Sequence, residues 1–74
     1  MAATLVSMPV LSRLREQRVQ QALSQDDLAR LARMSRTTVI RAEQLQPARL
    51  STWRKLARAL RVKPSDLIGP LEDA

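Results

Sequence analysis

The 74-residue chain carries 13 Lys and Arg against 7 Asp and Glu, for a net charge of +6 and an isoelectric point near 11.6. It has no cysteine, no histidine and a single glycine. Those absences remove disulfides, the usual zinc ligands, thiol nucleophiles, the commonest general base and any glycine-rich phosphate loop, so the chain reads as a non-enzyme with no metal, cofactor or small-molecule ligand.

One small domain is expected, and a chain of this size buries only about 60% of its unfolded surface, so its stability is marginal unless it oligomerises. Basic charge on so small a domain suits nucleic acid or an anionic membrane. The membrane reading is the weaker, because the helices below direct their apolar faces into a shared core. No apolar run approaches the roughly 18 residues of a spanning helix. The N-terminus MAATLVSMPV lacks the basic region of a signal peptide, which gives a cytoplasmic expectation.

Residues 1–9 form an apolar arm without helical period, ending at Pro9. Thr4, Leu5 and Val6 could pair as a short strand or across a dimer, and a frayed terminus is the plain alternative. A first helix is predicted from Val10 to Gln21, with Leu11, Leu14, Arg18 and Ala22 on one face and Val19 beside them. A guanidinium on that face needs a partner, because burying an unpaired charge is expensive. Glu43 is the natural candidate.

The second helix is predicted over Ser24–Ala32. Ser24 caps its start, Asp27 stands in a capping-box relation three residues on, and Leu28, Leu31 and Ala32 form one buried stripe. The third runs from Ser35 to Gln44, with Ser35 as cap and Val39 and Ala42 inward. That leaves Arg36, Thr37, Ile40, Arg41 and Gln44 outward. Two short helices joined by so tight a break form a helix–turn–helix, and the outward set suits base edges in a DNA major groove. Arg36 and Arg41 are the bidentate donors for guanine, Thr37 offers a hydroxyl or methyl, and Ile40 could meet a thymine methyl. Gln44 at the helix end is placed on the DNA backbone, as is Arg49 at the start of the fourth helix.

The fourth helix, Leu50–Arg61, is predicted to bury Leu50, Trp53, Leu56, Ala57 and Leu60. Trp53 is the sole aromatic residue, so it is placed in the core rather than in base stacking. Arg54, Lys55, Arg58 and Arg61 cover the outer face. Pro64 and Ser65 start a short last helix that closes the core with Leu67 and Ile68, and residues 70–74 form an acidic tail.

Three stretches resemble the lambda-repressor-like, or Xre-type, DNA-binding domain of phage repressors and Cro proteins: LSQDDLA at 23–29, SRTTVIRAE at 35–43 and LSTWRKLARALRVKPSDLIG at 50–69. The resemblance covers about Leu14 to Ile68. It implies an all-α, five-helix domain over residues 10–69, an Arg18–Glu43 pair between helices one and three, and a DNA phosphate contact from Gln25. It also implies a two-fold homodimer reading half-sites about 34 Å apart. The apolar surface left for such an interface is Leu67, Ile68 and Leu71, reinforced by Leu5 and Val6 of the arm. The sequence departs from the family at Arg33 and Leu45, where glycine is usual, and at Ala42, where a larger aliphatic is usual. The reading is a double-stranded-DNA-binding transcriptional regulator, a homodimeric repressor of a palindromic operator. The rival is an antitoxin or adaptor module whose main role is to bind a protein.

Overall fold

The computed structural model describes residues 9–69. Four α-helices follow one another: α1 (Leu14–Gln20), α2 (Gln25–Ala32), α3 (Arg36–Glu43) and α4 (Leu50–Leu60). The fifth helix expected from the sequence is a single 3-10 turn, Pro64–Leu67. Among the described residues there is no strand, only an isolated antiparallel bridge between Val10 and Pro47. The arm and tail, with Leu5, Val6 and Leu71, lie outside the described residues.

Helix α1 begins four residues later than the periodicity suggests, for a tertiary reason. The Pro9 carbonyl accepts from the Ala48 N–H at 2.9 Å, so the entering chain is extended against the loop before α4. The helix is short enough that Val19 is 57% exposed and Ala22 lies beyond its end, exposed and left-handed. Neither joins the core face that Leu11 and Leu14 occupy.

The core is built from Leu11, Leu14, Leu28, Val39, Leu56, Leu60 and Leu67, all fully buried, with Ala29, Ala32, Ala42, Ala48 and Ala57 filling the close approaches. In α2 the buried stripe is Leu28, Ala29 and Ala32, whereas Leu31, expected inside, is 57% exposed. Helices α3 and α4 cover the Ala29 flank of Leu28 and leave the other flank open. Leu50 and Trp53 are half-buried rather than fully inside. The indole Nε1 donates to the Pro64 carbonyl at 2.7 Å, which ties α4 to the 3-10 turn. Leu67 is wholly buried in its own domain. It therefore cannot serve the dimer surface for which it was a candidate, and Ile68 beside it remains half-buried.

All four helices end alike. Ala22, Arg33, Leu45 and Arg61 take positive φ of 57°, 57°, 64° and 58°. In each case the next residue's N–H reaches back to a carbonyl five residues earlier, as Met34 does to Ala29 and Val62 to Ala57, both at 3.0 Å. This is the Schellman closure, in which glycine is the usual left-handed residue. A side chain there costs about 1–2 kcal/mol per residue. The departures at Arg33 and Leu45 thus keep the usual backbone geometry and carry its strain.

Candidate nucleic-acid interface

Local chemistry sets both helices of the helix–turn–helix. Ser24 Oγ accepts from the Asp27 N–H at 2.9 Å while Asp27 Oδ2 accepts from the Ser24 N–H at 3.0 Å, a complete capping box. The Ser24 backbone N–H holds the Asp27 carboxyl below its ordinary pKa, with help from the Ser24 hydroxyl and Arg30. At α3, Ser35 Oγ accepts from the Thr38 N–H at 3.1 Å. Between them the left-handed Arg33 turns the chain so that α3 crosses α2 with Val39 and Ala42 inward.

One polar cluster locks this arrangement to the rest of the domain. Arg18 Nε and Nη2 donate to the two carboxylate oxygens of Glu43 at 2.5 and 3.1 Å, and Nη1 donates to the Leu23 carbonyl at 2.7 Å. Gln25 Nε2 donates to the same carboxylate at 3.1 Å. The structure thus brings together Arg18 of α1, Gln25 at the head of α2 and Glu43 at the foot of α3. The pair is well buried, with 11% and 5% of the two side chains exposed. Hydrogen bonding to Glu43 raises the Arg18 pKa further, against partial desolvation.

The outward face of α3 forms a ridge between two open clefts. The first, of roughly 800 Å³, lies between α1, the head of α2 and α3, and holds Gln25, Arg36, Ile40 and Gln44. The second, of roughly 450 Å³, lies between the other flank of α3, the following loop and the start of α4, and holds Arg41 and Arg49. Thr37 lines neither and stands exposed on the ridge. Ile40, expected to be exposed, is half-buried in the wall of the first cleft. The two arginines assigned to base edges therefore sit on opposite flanks of the helix. Each shares its cleft with residues assigned to phosphate.

Four polar residues that the sequence does not single out also line the clefts: Arg15 the first, and Thr38, Gln46 and Thr52 the second. A faint signal marks Arg15, which precedes Arg18 by three residues and so shares its side of α1. Nothing local marks Thr52, because the fold of the α3–α4 loop sets its place. Among the described residues Arg15, Arg36, Arg41 and Arg49 have no carboxylate within ion-pair distance; the only paired cations are Arg13, Arg18 and Arg30. A helix with its side chains is about 10–12 Å across, close to the roughly 12 Å width of a B-DNA major groove. A ridge of this width, flanked by unpaired arginines, has the form of a major-groove reader.

A helix-turn-helix family model matches residues 14–67. The chain belongs to the helix-turn-helix family, of the lambda-repressor-like or Xre type. The match runs from the first residue of α1 to the last of the 3-10 turn, so it takes in the ridge, both clefts and the Arg18–Glu43 pair. The family is one of DNA-binding transcription regulators. No curated protein and no solved structure gave a significant match. No helix among the described residues is long and apolar enough to cross a membrane.

Proposed function

We propose that this helix-turn-helix protein is a sequence-specific repressor that binds a palindromic operator as a homodimer in the cytoplasm of a bacterial or phage-type host, and that it catalyses no reaction. The observation that carries this reading is the ridge of α3, where Arg36, Thr37, Ile40 and Arg41 stand between two arginine-bearing clefts. In this reading those four residues meet base edges, with Arg36 and Arg41 working from the two flanks. Gln25, Gln44 and Arg49 hold the phosphate backbones that border the groove. Gln25 keeps one amide N–H on Glu43 and offers its second to phosphate, so the contact couples the head of α2 to the foot of α3. Repression follows from occupancy, since bound protein blocks access to a promoter.

One α3 ridge reads only a few base pairs, and a two-fold dimer with half-sites about 34 Å apart supplies the remaining selectivity. The dimer surface proposed here is Ile68 with Leu71 of the tail and Leu5 and Val6 of the arm. Selection of bound sites from random duplex DNA tests the whole reading. A two-fold symmetric motif is expected, with light scattering at micromolar concentration showing a dimer, free or on DNA. No enriched motif, together with recovery of a stoichiometric protein partner, would replace this reading with the antitoxin or adaptor one.

A further inference from the structure

The unpaired cations of the described chain fall into two groups, and the recognition clefts absorb only one. Arg15, Arg36, Arg41 and Arg49 line the clefts. Arg33, Arg54, Lys55, Arg58, Arg61 and Lys63 line neither; all six are exposed, and none has a carboxylate within ion-pair distance among the described residues. The five described acids are all engaged elsewhere. Glu16 pairs with Arg13, Asp26 and Asp27 with Arg30, and Glu43 with Arg18, while Asp66 accepts from the Lys63 N–H.

Arg54 and Arg58 stand at i and i+4 on one side of α4, and Arg61, the left-handed residue just past its end, follows them. Thr52 marks the side of α4 that faces the recognition cleft. At about 100° per residue, Thr52 lies some 120–160° around the helix from Arg54 and Arg58. The stripe therefore points away from the duplex that α3 would read. It runs roughly 10 Å along the helix at 1.5 Å per residue. Like charges at this spacing repel one another, and an anionic ligand relieves that repulsion.

We infer that the outer face of α4 is a second, sequence-indifferent phosphate-binding surface, holding a duplex segment other than the one under α3. The chemistry of the face selects nucleic acid among polyanions. Its exposed side chains, Ser51, Arg54, Arg58 and Arg61, are all polar, whereas the core of a protein interface is depleted of charge. A helix lying on lipid needs a free apolar face, and α4 spends its own on the core through Leu56, Ala57 and Leu60. Guanidinium groups alone suffice for a phosphate backbone, which they bind bidentately. A protein with both surfaces bridges two DNA segments.

This inference rests on the DNA-binding reading but not on its sequence preference. The test immobilises a duplex carrying the selected site, saturates it with the full chain, and measures capture of a fluorescent duplex of unrelated sequence. The wild type should capture it. The Arg54→Ala/Arg58→Ala/Arg61→Ala variant should hold the first duplex within about twofold and capture at least roughly tenfold less of the second, as loss of phosphate contacts requires. Each single substitution should lower the salt slope of capture by about 1. Capture by the triple variant equal to the wild type overturns the inference, because bridging through two α3 ridges would then suffice. So does a wild type that holds the first duplex and captures none. If no sequence is preferred at all, the reading of α3 fails by itself. The stripe is then decided by binding to the unrelated duplex, upheld if the triple variant loses it and overturned if it does not.

Discussion

Replacing Glu43 by Gln should come close to unfolding this domain, although the change exchanges one oxygen for an NH₂ group. Glu43 accepts three hydrogen bonds, two from Arg18 and one from Gln25. Only 11% and 5% of the two side chains are exposed. Glutamine keeps one acceptor oxygen and turns an NH₂ group toward donors, while the Arg18 charge loses its counter-ion. Breaking a buried pair from one side costs about 3–5 kcal/mol. At roughly 0.05–0.15 kcal/mol per residue, the whole domain has about 4–11 kcal/mol to lose. Urea unfolding followed by circular dichroism should therefore show the midpoint falling by about a quarter or more. The double variant Arg18→Met/Glu43→Leu should recover most of the loss but not all of it. The Leu23 carbonyl, now without its Arg18 donor, keeps an unmet acceptor worth about 1–3 kcal/mol. A Glu43→Gln protein within about 1 kcal/mol of wild type would show that solvent already screens the pair, and the argument from burial would be wrong.

Three further outcomes follow from the same geometry. Arg36→Ala and Arg41→Ala should each cost about 1–3 kcal/mol on the selected site and much less on unrelated DNA; equal loss on both, measured by fluorescence anisotropy, would move that arginine to the phosphate class. Arg33→Gly should stabilise, because removing about 1–2 kcal/mol of left-handed strain outweighs the 0.5–1 kcal/mol or so of added chain entropy. A rise of a few degrees in Tm is expected, at about 4–8 °C per kcal/mol for a domain this size, and a fall would mean that the Arg33 side chain makes an offsetting contact. With no histidine, Tm should be flat from about pH 5 to 8. Folding lowers the Asp27 and Glu16 pKa values, so their contribution is complete above the ordinary carboxylate range near 4 and is lost as pH falls through the folded values. Asp27→Asn should flatten part of that acid decline; an unchanged pH profile would argue that the capping box has no net effect.

What could be read from the sequence was what depends on neighbours along the chain. The Ser24–Asp27 box and the Ser35 cap are relations across three residues, and the structure has both. The inward pair Val39 and Ala42 follows from helical period alone. The desolvation argument that sought a partner for Arg18 pointed across the fold, because a charge among leucines has few ways to be satisfied. Distant contacts were illegible. Leu28, Leu31 and Ala32 make as good a stripe as Leu28, Ala29 and Ala32, and only the placement of α3 and α4 decides between them. The start of α1 is not set locally, because Val10 is held by Pro47, far along the chain. Leu67 looked like spare apolar surface because nothing local shows how deeply a four-residue turn can be buried. The clefts divide Arg36 from Arg41, a division that a list of outward residues on one helix does not convey.

The last described residues lie against Ser12 and Arg13, close to the start of the described chain. Gly69 donates its N–H to Ser12 Oγ at 2.9 Å, and the Arg13 N–H reaches the Leu67 carbonyl at the same distance. A chain that enters and leaves at one place behaves as a cassette. It can be spliced into a surface loop of a larger host, or repeated in tandem, with little linker to span. Whatever is attached at one end is delivered beside whatever is attached at the other, at a high effective concentration.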